Sequence, residues 1–439
     1  MQSGNKGKRW HQDWLGWVIF ISIAYGILCL LSLASDIGRP FPGFFTYYNT
    51  ILERMDVEWN IPSWWWDDVG NHPRLDDALI QVNGTPFANI QRPVVEAPLY
   101  ATAWEQGHTA VTITVKRNDQ TVTFTTPLQR FSWTQYIDLM LLPVIMAACY
   151  WLLALILYRA ADGEEKQRLV VLVLCAIAVL AAAVKGSLFI FGGWRENIIL
   201  YINPVHSLAA TLMGPLLIHL AFRFPSLRWP RLLRLIMPLA YGGAFLLWLF
   251  YVIAKIMIWQ QAGSFLLAQW LDETWYNGFQ RLIILGVASV LVRMLGEALF
   301  TQKSRERQEA RILLVAFILF LPAVWFAIHG VTGSNSAILF LQSLADTRFL
   351  SLVVPFAFAA ISLRYHTFTG AENWLLLALI VAVSGFLANV GTAVLFWQQP
   401  QLIRSLPFPP TAVFFLLFLA TSLIGSYQSS LRGWLGRVF

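Results

Sequence analysis

Charge is scarce in this chain. Of its 439 residues only 13% are Asp, Glu, Lys or Arg, while 57% are hydrophobic and 15% aromatic. That balance is far more apolar than a soluble fold requires, and it points to the membrane class. Cysteine is scarcer still. Cys29, Cys149 and Cys175 all fall inside apolar runs, with no spacing for a metal and no partner in the polar stretches, which excludes a disulfide scaffold and a zinc site. Motifs of intramembrane proteolysis are missing as well. A zinc protease needs His-Glu-x-x-His on a span, a rhomboid-type enzyme Gly-x-Ser-Gly and an aspartyl type Gly-x-Gly-Asp, and none of these strings occurs. The net charge of +7 suggests no nucleic-acid partner, because the Lys and Arg residues gather at the ends of apolar runs and not in a patch. No resident cofactor is expected.

One stretch reads as a soluble folded unit. From Ala78 to Phe87 the sequence ALIQVNGTPF is an apolar strand followed by an Asn83-Gly84 turn. From Thr109 to Pro127, Val111, Ile113 and Val115 alternate with Thr112, Thr114 and Lys116. Asn118-Asp119 then supplies a turn, and Val122 and Phe124 resume the alternation. Such a pattern means a hairpin with one buried face. Between the two lies PVVEAPLYATAWEQG, whose apolar spacing suits a short helix ending at Gly107.

The remainder is organised as membrane spans. Lys6, Lys8 and Arg9 precede an apolar run from Trp14 to Ser35 with no small-residue cleavage site after it, so an uncleaved first span with residues 1–13 inside is expected. Residues 36–131 then form an extracytoplasmic domain with its core at 74–128. Its aromatic first part, with Trp64 to Trp66, suits the headgroup layer. Nine further runs are expected near Trp133–Tyr158, Leu169–Gly192, Ile199–Ala221, Leu232–Ala254, Phe279–Phe300, Ile312–Gly330, Phe349–Leu363, Trp374–Phe396 and Thr411–Gly425, within a bundle over 132–427. About ten spans return the C-terminus to the inside. The loops that must then be cytoplasmic are the basic ones, with Arg223, Arg228, Arg231 and Arg234 in one and Lys303, Arg305, Arg307 and Arg311 in another, followed at the end by a basic helix over 428–439. The fold class expected is a mainly α-helical polytopic protein of the bacterial inner membrane with a small α+β domain between its first and second helices.

Two resemblances give this outline content. RLDDALIQVNGTPF and VTITVKRNDQTVTF are similar to the back half of a bacterial PDZ domain. That likeness implies a PDZ-like surface at Leu75, Asp76, Asp77, Asn83 and Gly84 and a peptide or protein ligand. The glycine-rich loop that takes a peptide carboxylate on backbone N–H groups would precede Arg74, where this chain has IPSWWWDDVGNHP. PLLIHLAFRFPSLRWP, ISLRYHTFTGAENWLL and SSLRGWLGRVF, in that order, resemble strings in the multispan input regions of bacterial sensor histidine kinases. The kinase machinery is not part of the likeness. None of the seven histidines is followed by Glu, as a phosphoacceptor box requires, and no Asp-x-Gly-x-Gly nucleotide motif occurs. The expectation is a non-catalytic sensory or scaffolding module acting through a separate kinase or another membrane protein, or else the input region of a longer histidine kinase.

Ionisable groups at bilayer depth cost about 3 kcal/mol each and need a reason. Lys185 and His206 fall in the outer halves of adjacent antiparallel spans and are candidates for sensing or for an anionic ligand. Arg293 and Glu297 stand four apart on one helix, so a local ion pair is the plain reading and a ligand site the sharper one. Asp138 and Arg281 lie near span ends and can snorkel, and His219 reads as structural. A third class, a lipid-linked glycosyltransferase, would use Asp56, Glu58, Asp67 and Asp68 in the first outer segment.

Overall fold

The computed structural model describes residues 14–42, 78–86, 96–117, 120–160, 165–186, 195–227, 229–260, 265–303 and 306–314, with isolated positions beyond. Helices dominate. They are α1 (Trp14–Ala34), α2 (Glu96–Glu105), α3 (Trp133–Ala160), α4 (Glu165–Gly186), α5 (Arg195–Arg223), α6 (Pro230–Gln260) and α7 (Phe265–Phe300). The strands are β1 (Pro40–Phe41), β2 (Ala78–Val82), β3 (Thr85–Pro86), β4 (Ala110–Arg117), β5 (Gln120–Pro127) and β6 (Gln129–Arg130).

The small sheet is where the sequence pattern maps most directly onto structure. It is four-stranded and antiparallel, in the order β3-β2-β4-β5. Arg117 pairs with Gln120, so β4 and β5 form the expected hairpin, and its Asn118-Asp119 turn lies outside the described residues. Val111, Ile113, Val115 and Phe124 are buried, and they close on Tyr100 and Ala103 of α2, with Val82 and Leu128, into one core. A bulge between Leu79 and Gln81 sets Val82 opposite Ile113, on that buried face. Asn83 and Gly84 turn the chain at φ of 47° and 80°. Helix α2 stops at Gly107, whose φ of 80° only glycine takes without strain. The His108 N–H donates to the Ala103 carbonyl at 2.9 Å and the Gly107 N–H to that of Trp104 at 3.0 Å, the paired bonds of a Schellman cap.

A second, two-stranded ladder was not expected. β1 pairs antiparallel with β6, Pro40 opposite Arg130 and Phe41 opposite Gln129. Gly38 N–H donates to the Phe131 carbonyl at 2.7 Å and Phe131 N–H to that of Arg39 at 2.8 Å. Phe41 and Phe131 meet edge to face at 5.6 Å and bury with Leu33 and Met140. The strap therefore joins the end of α1 to the start of α3. The Thr126 hydroxyl adds a bond to the Pro42 carbonyl at 3.0 Å, which ties β5 of the sheet to the same strap.

Helices α1 and α3–α7 pack into one bundle, with α3 against α4, α5 against α7 and α6 against α7 among the broadest contacts. Two glycines make close crossings possible. A Cβ on Gly26 of α1 would run into the Trp151 ring of α3, and one on Gly214 of α5 would overlap the Leu282 backbone and approach its Cβ to 2.7 Å. Among the described residues four helical stretches are long and apolar enough to cross a membrane: Trp14–Ala34, Pro204–Arg223, Pro230–Met257 and Thr274–Phe300. Shorter apolar stretches run over Pro143–Arg159 in α3 and Gln167–Ala182 in α4.

Helices α1 and α3–α7 overlap the first six expected runs, four of them with a stretch long enough to cross a membrane; residues 187–192 of the third run lie outside the described residues, and the run from Ile312 opens inside a helical stretch over 306–314. The last three runs lie outside the described residues, apart from isolated positions. Several boundaries differ by a turn or so and one by about four turns. The span expected from Phe279 belongs to a helix that already begins at Phe265. Hydropathy marks where side chains become apolar, whereas the backbone ladder continues through the polar residues before it. Arg281 is exposed, about two turns after Thr274, where the apolar stretch of α7 begins.

Candidate functional site

Two polar clusters occupy the end of the bundle remote from the sheet. The first is built on Arg293 and Glu297, whose side chains are only 8% and 2% exposed. One turn of α7 brings them together, and Arg293 Nη1 donates to Glu297 Oε1. The pair does not stand alone. Arg293 Nη2 donates to the Ser226 carbonyl at 3.0 Å, and the guanidinium carbon lies 5.8 Å from the centre of the Trp229 ring. Ser226 Oγ donates to Glu306 at 3.3 Å, and Lys303 Nζ reaches the other oxygen of Glu306 at 2.9 Å. Arg307 Nε donates to the Thr301 carbonyl at 2.8 Å. A buried guanidinium must be both paired and hydrogen-bonded to be tolerated. Meeting that need here joins the turn after α5 to the segment after α7. The sequence gives the ion pair through its spacing, but no local signal reveals Ser226 or Trp229.

The second cluster joins three helices. Glu165 at the start of α4 accepts from Arg223 Nη2 of α5 at 2.7 Å, and His219 Nε2 of α5 stands 3.7 Å from the same carboxylate oxygen. His219 Nδ1 is 3.3 Å from the Tyr241 hydroxyl of α6, with the two rings edge to face at 6.1 Å. Glu165 is about half exposed, so solvent screens its pair with Arg223. His219, expected to be structural, is here the hub of a polar bridge.

At the sheet end, His206 is partly buried on α5 and Lys185 sits in the last turn of α4, where its side chain lies outside the described residues. The side-chain bonds beside His206 converge on the carbonyls of Pro204 and Ser207. Ser207 Oγ donates to the Pro204 carbonyl at 3.0 Å, and Trp248 Nε1 of α6 donates to the same oxygen at 2.9 Å. Thr211 Oγ1 donates to the Ser207 carbonyl at 2.6 Å while accepting from Trp275 Nε1 of α7 at 2.9 Å. Trp275 stacks obliquely on Tyr251 at 4.4 Å and Phe279 at 4.7 Å, and Lys255 Nζ caps the Tyr251 ring at 4.8 Å. These bonds lock α5, α6 and α7 together beside His206. Sequence reasoning missed this cluster, although Pro204 with Ser207 and Thr211 at helical spacing signals it.

Of the expected PDZ-like surface, Leu75, Asp76 and Asp77 lie outside the described residues, as do Trp64 to Trp66 and Asp56, Glu58, Asp67 and Asp68. Asn83 is placed. Its Oδ1 accepts the Thr112 N–H at 2.8 Å and its own N–H donates to the Thr112 carbonyl at 2.7 Å, so this side chain fastens the turn to β4. Gly84 completes the turn. Among the described residues no three His, Cys, Asp or Glu side chains converge as a metal site would need.

No protein-family model, curated protein or solved structure matches the chain. What the described residues offer is a set of couplings between elements: the strap, the remote-end ion network and the His219 bridge.

Proposed function

We propose that this chain is a non-catalytic sensory or scaffolding module of the bacterial inner membrane, in which a PDZ-like outer domain takes a protein or peptide and passes its state to a bundle of about ten spans. Both termini are cytoplasmic on this reading, and the basic loops at Arg223–Arg234 and Lys303–Arg311 face the cytoplasm. A separate kinase or other membrane protein reads the bundle. The observation that carries the proposal is the β1–β6 strap. A domain hung on two flexible linkers has no mechanical hold on helices. Here the α1 exit and α3 entry are paired with each other, and bonded through Thr126 to the sheet, so a displacement of the sheet must move both helices.

The test is a chimaera with the chain placed ahead of the dimerisation and ATP-binding core of a histidine kinase. Autophosphorylation is recorded with the strap intact, with the strap broken by Phe41→Ala and Phe131→Ala, and with residues 43–126 removed. The proposal expects output that differs between the intact and the altered chains. Equal output from all three contradicts it.

A further inference from the structure

The turn between α5 and α6 displays apolar and cationic side chains together. Trp229 is 60% exposed and Leu235 64%, with Leu227 and Leu232 also exposed. Arg231 and Arg234 lie between them, both exposed and three apart, so they share one side of the first turn of α6. No carboxylate among the described residues pairs with either arginine. The nearby acids have other partners, Glu297 with Arg293 and Glu306 with Ser226 and Lys303.

Trp229 is held, not loose. Its φ of 49° is an outlier for a bulky residue, and such strain persists only where the surroundings over-determine it. Arg293 lies behind the ring, Phe222 meets it edge to face at 6.2 Å, and Leu233 N–H donates to its carbonyl at 3.0 Å. The indole is thereby held with more than half of the residue outward, just before the turn of α6 that carries Arg231 and Arg234.

We infer that this rim binds the phosphate headgroup of an anionic phospholipid. Arg231 and Arg234 face the phosphate, the Trp229 indole lies at the depth of the glycerol backbone, and Leu232 and Leu235 meet the acyl chains. Charge complementarity selects the anion, since guanidinium groups form paired, charge-assisted bonds to phosphate oxygens. Continuity selects the lipid. Beyond Leu235 the exposed side of α6 stays apolar through Leu239, Phe245 and Leu246, which an acidic soluble peptide would leave uncovered. Because Trp229 rests on Arg293, headgroup occupancy also bears on the ion pair beneath it. The inference rests on the reading of α6 as a membrane span.

The experiment uses the full chain in vesicles of phosphatidylcholine with a minority of phosphatidylglycerol. After extraction in mild detergent, the lipid retained by the protein is compared with the bulk mixture. Phosphatidylglycerol should be enriched on the native chain. The enrichment should fall about fivefold for each charge lost in Arg231→Gln and Arg234→Gln, the scale of one basic side chain at an anionic leaflet. Arg231→Lys with Arg234→Lys should keep most of it, which guards against a folding artefact. Enrichment unchanged in the double Gln variant, or absent from a native chain that resists carbonate extraction, overturns the inference alone. A native chain released by carbonate overturns the membrane reading beneath it.

Discussion

Phe131 donates its backbone N–H to the carbonyl of Arg39 at 2.8 Å, and that bond closes the strap between the first helix and the third. The Phe131 side chain is fully buried against Phe41. Truncation by Phe131→Ala should cost about 3 kcal/mol or more, as for other buried aromatics. Limited proteolysis in detergent should then show faster cleavage near residues 36–42 while the β4–β5 hairpin stays protected. Unchanged cleavage would mean that the strap carries little.

Gly214 and Gly242 form a matched pair of tests. Gly214→Ala places a Cβ against the Leu282 backbone, and Gly242→Ala meets nothing within 4 Å. The first should destabilise by about 1–3 kcal/mol through overpacking. The second should be neutral or raise stability by up to about 1 kcal/mol through helix propensity. Thermal unfolding of the detergent-solubilised chain gives the order, and equal midpoints would contradict the α5–α7 crossing.

Arg293 and Glu297 should behave as a unit. Arg293→Leu or Glu297→Leu alone leaves a buried charge without its partner and should cost about 3–5 kcal/mol. The double variant should lose far less than the two single losses together. Additive losses in the cycle would mean that the two side chains do not interact.

Gly107 isolates a purely backbone effect. A Cβ there meets nothing, yet the residue sits at a φ of 80°. Gly107→Ala should therefore weaken the sheet domain by about 1 kcal/mol, with Gly107→Asn milder because Asn tolerates the left-handed region. Hydrogen exchange of the β4 amides is the readout, and unaltered protection in both variants would remove the cap from the account.

How much of this was legible in the sequence depends on the range of the interaction. The hairpin pairing, the Asn83-Gly84 turn, the Gly107 stop and, among the described residues, the apolar helices α1 and α3–α7 follow from local periodicity and turn chemistry. Arg293 with Glu297 was legible for the same reason, since both lie on one turn. The strap was not, because Pro40–Phe41 and Gln129–Arg130 are too short to alternate and are far apart in sequence. Nor were Arg293 with Ser226, or His219 with Glu165, contacts fixed only when distant helices pack. The early start of α7 at Phe265 was hidden because Asp272, Glu273 and Asn277 interrupt the apolar pattern between Phe265–Leu271 and Phe279.

On the proposed reading, the sheet domain and the basic turns lie on opposite sides of a membrane. Single cysteines introduced by Thr125→Cys in β5 and Gln302→Cys after α7, both at exposed positions, test it in a chain whose Cys29, Cys149 and Cys175 are replaced by alanine. A membrane-impermeant maleimide applied to intact bacterial spheroplasts should label the first at once and the second only after the membrane is opened. Labelling of both positions from the same side would contradict the account.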